Sequence, residues 1–302
     1  MSIAPLYPTL RATLLFLMLA LNRNSLAADK LPVVASFSIL GDITSQIGGD
    51  RIALTTLVGP NGDAHVYQPT PSDAQYVGKA RVLIFNGLGM EGWLPRLITA
   101  AQFKGKIVIA STGITTRTMQ DEGHTTTDPH AWQNPQNVIQ YTRNISAALS
   151  AADPAGKAYY QQRAALYTQK LQELDIWAKQ RINLLPASKR QVITSHDAFA
   201  YLGEHYQIKF FAPQGMSTES EAAGGDVGKL IRQIKKTKIR ALFFESISSR
   251  KLLDQIAAET GVTPGPALYS DALSPPKGPA NTYEMLFQHN INTLLTGMQQ
   301  NQ

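Results

Sequence analysis

Residues 155–185, AGKAYYQQRAALYTQKLQELDIWAKQRINLL, have the spacing of one long α-helix. No glycine or proline occurs between Lys157 and Leu185, and apolar residues recur every three or four positions, at Tyr160, Ala164, Tyr167, Leu171, Leu174 and Ala178. The pattern predicts a helix of about 30 residues, near 45 Å long at a rise of about 1.5 Å per residue. Such a helix is either a long surface helix or a rigid connector between two lobes. The connector is favoured because strands and helices alternate again after it.

Short apolar runs rich in β-branched residues alternate with helical stretches before this long helix. Strands are expected at 31–39, 51–59, 81–87 and 105–111, and helices at 40–47, 72–80, 91–102 and 135–153. The polar stretch 115–134 has no periodicity and is interpreted as a loop. This alternation is typical of a parallel sheet flanked by helices.

The same alternation returns after the long helix. Strands are expected at 190–195, 208–213, 239–246 and 265–270, and helices at 197–206, 226–237, 249–260 and 281–299. We therefore predict an α/β fold of two lobes, each with a parallel-type sheet flanked by helices, joined by one long rigid helix, with a ligand cleft between the lobes. The predicted boundaries are an N-terminal lobe at 28–153, the connecting helix at 154–186 and a C-terminal lobe at 187–302.

The first residues have the pattern of a secretory signal peptide, predicted at 1–27. Arg11 precedes an apolar run from Ala12 to Leu21, and small residues follow at Ser25 and Ala27. The run is about ten residues long, too short for a membrane-spanning helix of about 20 residues, so direct membrane insertion is not expected. Because the sequence contains no cysteine, we expect no disulfide and no lipid-modified cysteine. The expected product is a periplasmic protein without a lipid anchor.

The charge balance argues against nucleic-acid binding. Without residues 1–27 the chain keeps 26 basic and 22 acidic residues, a charge of about +4. No run of basic residues is longer than a pair such as Lys235–Lys236. With 43% hydrophobic and 17% charged residues, the composition is that of a globular protein.

Four residues that can bind metal follow predicted strands, two in each lobe. His65 lies in GPNGDAHVYQPTPSD and His130 in TDPHAWQNP, whereas His196 ends RQVITSH and Asp271 lies in LYSDALSPP. Because the carboxyl ends of parallel strands meet at one edge of a sheet, we expect these side chains to face the cleft. Imidazoles with one carboxylate suit a divalent ion such as Zn²⁺ or Mn²⁺. Each residue alone could be an ordinary loop residue, so the prediction rests on the four together.

The remaining histidines have simpler interpretations. His205 and His289 fall in predicted helices and are interpreted as surface or core residues. His124 lies six residues before His130 in the polar stretch and could capture metal transiently.

The chain resembles the zinc/manganese-type solute-binding proteins of bacterial ABC importers. The segments that carry the resemblance are GPNGDAHVYQPTPSDA, DPHAWQNPQN, TSHDAFAYLG, FFESISS and YSDALS, and they span essentially the whole predicted mature chain. The resemblance implies that one divalent metal ion is bound by His65, His130, His196 and Asp271. Histidine rather than glutamate at the third position favours zinc, with manganese as the alternative, although the long His-rich loop of many zinc carriers is missing.

A further residue of interest is Glu245 in FFESISS, at another strand end. It either contacts a ligand histidine and fixes its tautomer or caps the helix expected near Ser249. Asp63 and Glu204 are weaker candidates for such an outer role.

The resemblance implies a periplasmic, monomeric metal receptor that delivers its ion to the membrane permease of an ABC importer, and not an enzyme. The single long helix implies only small movements between the lobes. One alternative is a zinc hydrolase that uses the same histidines to activate water, although no H-E-x-x-H spacing occurs. A second alternative is a metal-binding surface adhesin.

Overall fold

The apolar runs of the first half form a four-stranded parallel sheet in this computed structural model, which describes residues 29–121, 123–213, 215, 224–248 and 250–302. The strands are β1 (Leu31–Phe37), β2 (Ile52–Val58), β3 (Val82–Phe85) and β4 (Lys106–Ile109), in the order β2-β1-β3-β4. The central strand β1 is buried almost throughout, as expected for a strand covered on both faces. The predicted signal peptide, residues 1–27, lies outside the described residues.

Four helices accompany this sheet: α1 (Ser38–Gly48), α2 (Pro71–Lys79), α3 (Leu94–Ala100) and α4 (Pro135–Ala152). Local sequence explains two of their starts. Thr70 and Asp73 form a capping box at α2, and the side chain of Asn134 caps α4. A proline occupies the first turn of both helices, where its missing N–H costs nothing.

The interpretation of 115–134 as a loop is wrong for its middle part. Strands β5 (Thr118–Asp121) and β6 (His124–Thr127) form an antiparallel hairpin, with Gly123 at φ 82° in the turn between them. The residues of β6 are exposed or half-buried, so the hairpin has no apolar alternation from which to recognise it. The backbone N–H of Asp128 donates to the carbonyl oxygen of Arg117 at 3.0 Å, an ordinary hydrogen-bond length. This bond closes the base of the hairpin.

The long helix is present as α5 (Lys157–Asn183), 27 residues and thus about 40 Å long. All six apolar positions named from the sequence lie on its buried face. It packs against α1 and α4 of the first half and against α9 (Tyr283–Gln299) near the chain end. The helix therefore runs along both halves of residues 31–302, whereas the exact domain boundaries stay a prediction. Within the described part of the chain, no helix has both the length and the apolarity needed to cross a bilayer.

The second half contains a parallel pair, β7 (Gln191–Ile193) and β8 (Lys209–Phe211), and the helices α6 (Ala200–Tyr206), α7 (Gly224–Thr237) and α8 (Arg250–Thr260). The two other predicted strands pair only through isolated bridges, Ile193 with Leu242 and Glu245 with Leu268. Pro264 and Pro266 lie beside the last of these segments and have no N–H to extend a ladder. The α/β prediction is confirmed, with a second sheet more irregular than expected.

Candidate metal centre

The four predicted ligand residues meet at one point. One donor atom from each of His65, His130, His196 and Asp271 lies within 4.8 Å of all the others. His65 follows β2, His130 follows the hairpin, His196 follows β7 and Asp271 follows the bridge at Leu268. The loops at the strand ends thus bring together residues that are up to 206 positions apart in the chain, between 65 and 271.

The distances between the donor atoms suit a four-coordinate ion. Nε2 of His65 lies 3.3 Å from Nε2 of His130, and Nε2 of His196 lies 3.1 Å from Oδ2 of Asp271. Asp271 oxygens lie 3.5 Å from Nε2 of His65 and 3.8 Å from Nε2 of His130. Metal–nitrogen bonds of about 2.0–2.1 Å in a tetrahedron place the donors about 3.3 Å apart. The observed spacings bracket that value.

An aspartate two residues before His65, and another two residues before His130, shapes the loop that carries each histidine. Oδ1 of Asp63 accepts the backbone N–H of His65 at 2.9 Å, and Oδ1 of Asp128 accepts the backbone N–H of His130 at 3.0 Å. These are Asx turns, which hold the chain in a local bend. The D-x-H spacing therefore marks both loops in the sequence. Of the two aspartates, the sequence analysis named only Asp63 as a candidate.

Asp128 also orients the ring of His130, a role that sequence reasoning missed. Its Oδ1 lies 2.8 Å from Nδ1 of His130, and both residues are fully buried. The other ring nitrogen, Nε2, is thereby directed to the centre. Nε of Arg117 lies 3.5 Å from Oδ2 of Asp128 and offsets its charge.

Glu245 plays the same part for His196. Its Oε2 lies 2.5 Å from Nδ1 of His196, and its Oε1 accepts the backbone N–H groups of Ser195 and His196, each at 2.9 Å. Of the two roles predicted for Glu245, the geometry supports the contact with a ligand histidine. Glu245 and His196 are both fully buried, so this carboxylate has no solvent to share its charge.

The electrostatics of the cluster favour a cation at its centre. Burial lowers the pKa of His196, but Glu245 and Asp271 reverse that effect and hold it well above its usual value. Burial raises the pKa of Asp271, yet His196 and His130 hold it well below its usual range. Both oxygens of Asp271 are buried without a well-directed hydrogen bond. A metal ion would supply the missing partner and replace a proton on His196.

The segment after His130 contacts the loop that carries Asp271. Nε1 of Trp132 and Nε2 of Gln133 donate to the carbonyl of Ser270, at 2.8 and 2.7 Å. The Trp132 ring is fully buried and lies 5.5 Å from the ring of His130, centroid to centroid. This arrangement joins the two halves beside the centre and buries the Trp132 ring against it.

Residues 33–297 match the family described as zinc-uptake complex component A, periplasmic. The chain belongs to this family. It is 32% identical to the iron-binding protein YfeA of Yersinia pestis, over 97% of this chain and 98% of that protein. It is 30% identical to the manganese ABC transporter substrate-binding lipoprotein PsaA of Streptococcus pneumoniae, over 94% and 95%. The solved structure of the periplasmic zinc binding protein TroA from Treponema pallidum matches with a TM-score of 0.84 at 28% identity, over 89% of this chain and 99% of that one.

The family match confirms the resemblance and the two-lobe fold with one long helix, and it corrects one prediction. The expectation of a protein without a lipid anchor is contradicted, because PsaA and other matched relatives are named lipoproteins. That expectation rested on the lack of cysteine alone, and the absence of one residue type does not establish how a protein is held near a membrane. A location outside the cytoplasm is supported.

The other candidates of the sequence lie outside the cluster. His124 is exposed in β6, His205 contacts Asp175 at 2.8 Å, and His289 lies 2.9 Å from the carbonyl oxygen of Ala267. The side chain of Glu204 is 75% exposed and lies 3.6 Å from Arg117. None of these side chains contributes to the centre formed by the four residues.

Proposed function

We propose that this protein binds one divalent transition-metal ion through His65, His130, His196 and Asp271 and delivers it to the membrane permease of an ABC importer. The observation that carries the proposal is the convergence of four donor atoms within 4.8 Å. Three imidazole nitrogens point to one carboxylate, and Asp128 and Glu245 orient two of the rings from behind. Delivery to a permease is supported by family membership and by relatives named as ABC transporter substrate-binding proteins.

Zinc is the preferred cargo and manganese the second choice. Three imidazoles and one carboxylate in a near-tetrahedral arrangement are ligands that zinc favours, whereas manganese favours more oxygen ligands. Matched relatives carry names that refer to iron, manganese and zinc. Because one chain supplies all four donors, the site needs no second copy, and we propose that the protein acts as a monomer.

A carrier fits the site better than a zinc hydrolase does. Four protein donors complete a tetrahedral set, whereas a catalytic zinc keeps one position open for water. The buried Glu245 already contacts His196 and two backbone N–H groups, so it is not placed to act as a general base on a bound water. Zinc-dependent ester or peptide hydrolysis that disappears in His196→Ala would overturn this choice. An adhesin role stays a prediction of the sequence.

The test is a competition titration with chromophoric chelators, together with elemental analysis of protein purified from the periplasm. We expect one zinc ion per chain. His130→Ala removes one of the four donors and should weaken zinc binding by more than about 100-fold. Loss of a residue that only hydrogen-bonds a metal ligand weakens binding by at most about that factor. His124→Gln alters an exposed histidine outside the cluster and should leave the affinity within about twofold. Unchanged binding in His130→Ala would show that the ligand set is wrong.

A further inference from the structure

Glu91 is a buried carboxylate outside the metal centre. It ends a turn, residues 86–91, that follows β3, and the residue is only 5% exposed. Oε1 accepts the hydroxyl of Ser36 at 2.7 Å and the backbone N–H of Asn86 at 2.8 Å, and Oε2 accepts the N–H of Gly87 at 3.1 Å. A buried carboxylate is costly without such donors, so the three contacts explain how Glu91 is accommodated.

The backbone of the turn folds around this carboxylate. Gly87, Leu88 and Gly89 all have positive φ, at 82°, 57° and 87°. A leucine in the left-handed region is unfavourable and needs surrounding contacts to hold it there. Through the N–H groups of Asn86 and Gly87, Glu91 holds the residues that enter this left-handed stretch.

Asn86 connects the turn to the loop of His130. Its Nδ2 donates to the carbonyl of Pro129 at 2.9 Å, and its Oδ1 accepts the hydroxyl of Tyr141 at 2.5 Å. The amide therefore has one fixed orientation, since both of its ends are used. The same Pro129 oxygen accepts the N–H of Ala131 at 2.8 Å, so His130 is the middle residue of a tight turn with φ −80° and ψ 41°.

The same segment also reaches the loop of His65. Nε1 of Trp93 donates to the carbonyl of Ala64 at 2.8 Å. Residues 86–93 thus bind the carbonyl just before each of the two histidines that the first half contributes, whose Nε2 atoms are 3.3 Å apart.

We propose that Glu91 is a positioning residue for the metal centre: it holds the 86–91 turn in the shape that keeps Asn86 on the Pro129 carbonyl, and it thereby sets the position of His130 relative to His65. The inference rests on the proposed function, because it concerns the geometry of the same site. Glu91 does not touch the ion. Its loss would change the spacing of the donors and not their number.

Two variants test the connection with Zn²⁺ and Co²⁺ as probes. Glu91→Gln places an NH₂ group either against the N–H of Gly87 or against the two donors at Oε1, so at least one contact is lost in either orientation. We expect zinc affinity about tenfold weaker, within the range of outer partners, and a changed visible spectrum of the Co²⁺ form. Asn86→Ser removes the donor to Pro129 and should have the same effects. It tests the connection independently if Glu91→Gln does not fold. The double variant should lose no more than the larger single effect, because both act on one contact.

The matched control is Asp175→Asn, which alters another buried carboxylate far from the ligand loops in sequence. It should lower the melting temperature of the metal-free protein and leave zinc affinity and the Co²⁺ spectrum unchanged. Glu91 would be merely structural if Glu91→Gln behaved like this control. Effects of the two variants that multiply in the double variant would also overturn the inference. Wild-type protein that binds no metal would instead overturn the proposed function.

Discussion

Two carboxylates each hold one imidazole of the centre in a single orientation. Asp128 lies against Nδ1 of His130 and Glu245 against Nδ1 of His196, so that each ring directs Nε2 to the same point. A carboxylate at the far nitrogen keeps the proton there and makes the near nitrogen a better metal donor. The backbone reinforces both contacts, because each carboxylate also accepts the N–H of its own histidine.

Glu245→Gln should weaken zinc binding by about 10–100-fold without unfolding the protein. The glutamine can keep its carbonyl oxygen on the N–H groups of Ser195 and His196, but its NH₂ then faces Nδ1. The ring proton would move to Nε2, the atom that faces the metal. Competition with a chelator at pH 7.5 measures the change. Glu204→Gln, at an exposed carboxylate, is the control, and equal affinities for the two variants would show that Glu245 does not orient His196.

At the scale of elements, Asp175 fastens the long helix α5 to its neighbours. Its Oδ1 accepts from His205 and Tyr206 of α6, both at 2.8 Å, and its Oδ2 accepts from Gln136 of α4 at 2.8 Å and Lys179 at 3.0 Å. Burial raises the pKa of Asp175, but the donors, His205 first, hold it well below its usual range. One side chain therefore joins three helices.

Asp175→Asn should lower the free energy of unfolding by about 1–3 kcal/mol, the cost of leaving buried polar groups unsatisfied. An amide can satisfy His205 and Tyr206 through its oxygen, but its NH₂ then meets the donors of Gln136 and Lys179. Urea denaturation of the metal-free protein measures the loss. Glu173→Gln on the exposed face of α5 should change the free energy by less than about 0.5 kcal/mol. Equal effects of both variants would contradict the role of Asp175.

The sequence predicts elements well where burial imposes a period on them. Helix α5 was predictable because its apolar face repeats without glycine or proline, and β1 because six of its seven residues are buried. The largely exposed hairpin β5–β6 has no such period, and Pro264 and Pro266 shorten a segment that otherwise resembles a strand. The two failures differ in cause: the hairpin pairs at four positions without an apolar period, whereas the segment around Pro266 is apolar but lacks backbone N–H groups for a ladder.

The meeting of the four candidate residues was predictable because histidines and aspartates after strands are expected at one edge of a sheet. Asp128 was missed although it repeats the D-x-H spacing of Asp63 and His65. Glu91 gives no signal at all, since its contact with Ser36 spans 55 residues and depends on how the strands pack. Residues that contact the metal ligands or their loops are brought there by tertiary structure. A single sequence contains little information about which residues these are.

At the scale of the whole molecule, protonation and metal binding act in opposite directions. Burial raises the pKa of Glu91 to about 7, although its hydrogen bonds lower it in part, and the pKa of His196 is also raised. The folded metal-free protein therefore keeps protons that the unfolded chain loses, Glu91 above about pH 4.5 and His196 above about pH 6.5. Bound metal requires neutral imidazoles and therefore displaces the extra proton of His196, whereas Glu91 does not touch the ion.

The metal-free protein should consequently lose stability as the pH rises from 5 to 8, whereas the extra stability given by zinc should grow. Urea denaturation at several pH values, with a chelator or with excess zinc, measures both trends. The fall in the metal-free protein between pH 5 and 7 should be shallower in Glu91→Gln, which cannot ionise there. Metal-free stability that rises steadily across this range would contradict the assignment of these protons.

The net charge of the buried groups around the centre matches the charge of a divalent ion. Asp128, Glu245 and Asp271 carry three negative charges when ionised, and Arg117 offsets one of them, which leaves two. A dication makes the assembly electrically neutral, whereas a monovalent or trivalent ion leaves a net charge in a place that water does not reach. On this charge balance a divalent ion fits the buried centre better than a monovalent or a trivalent one.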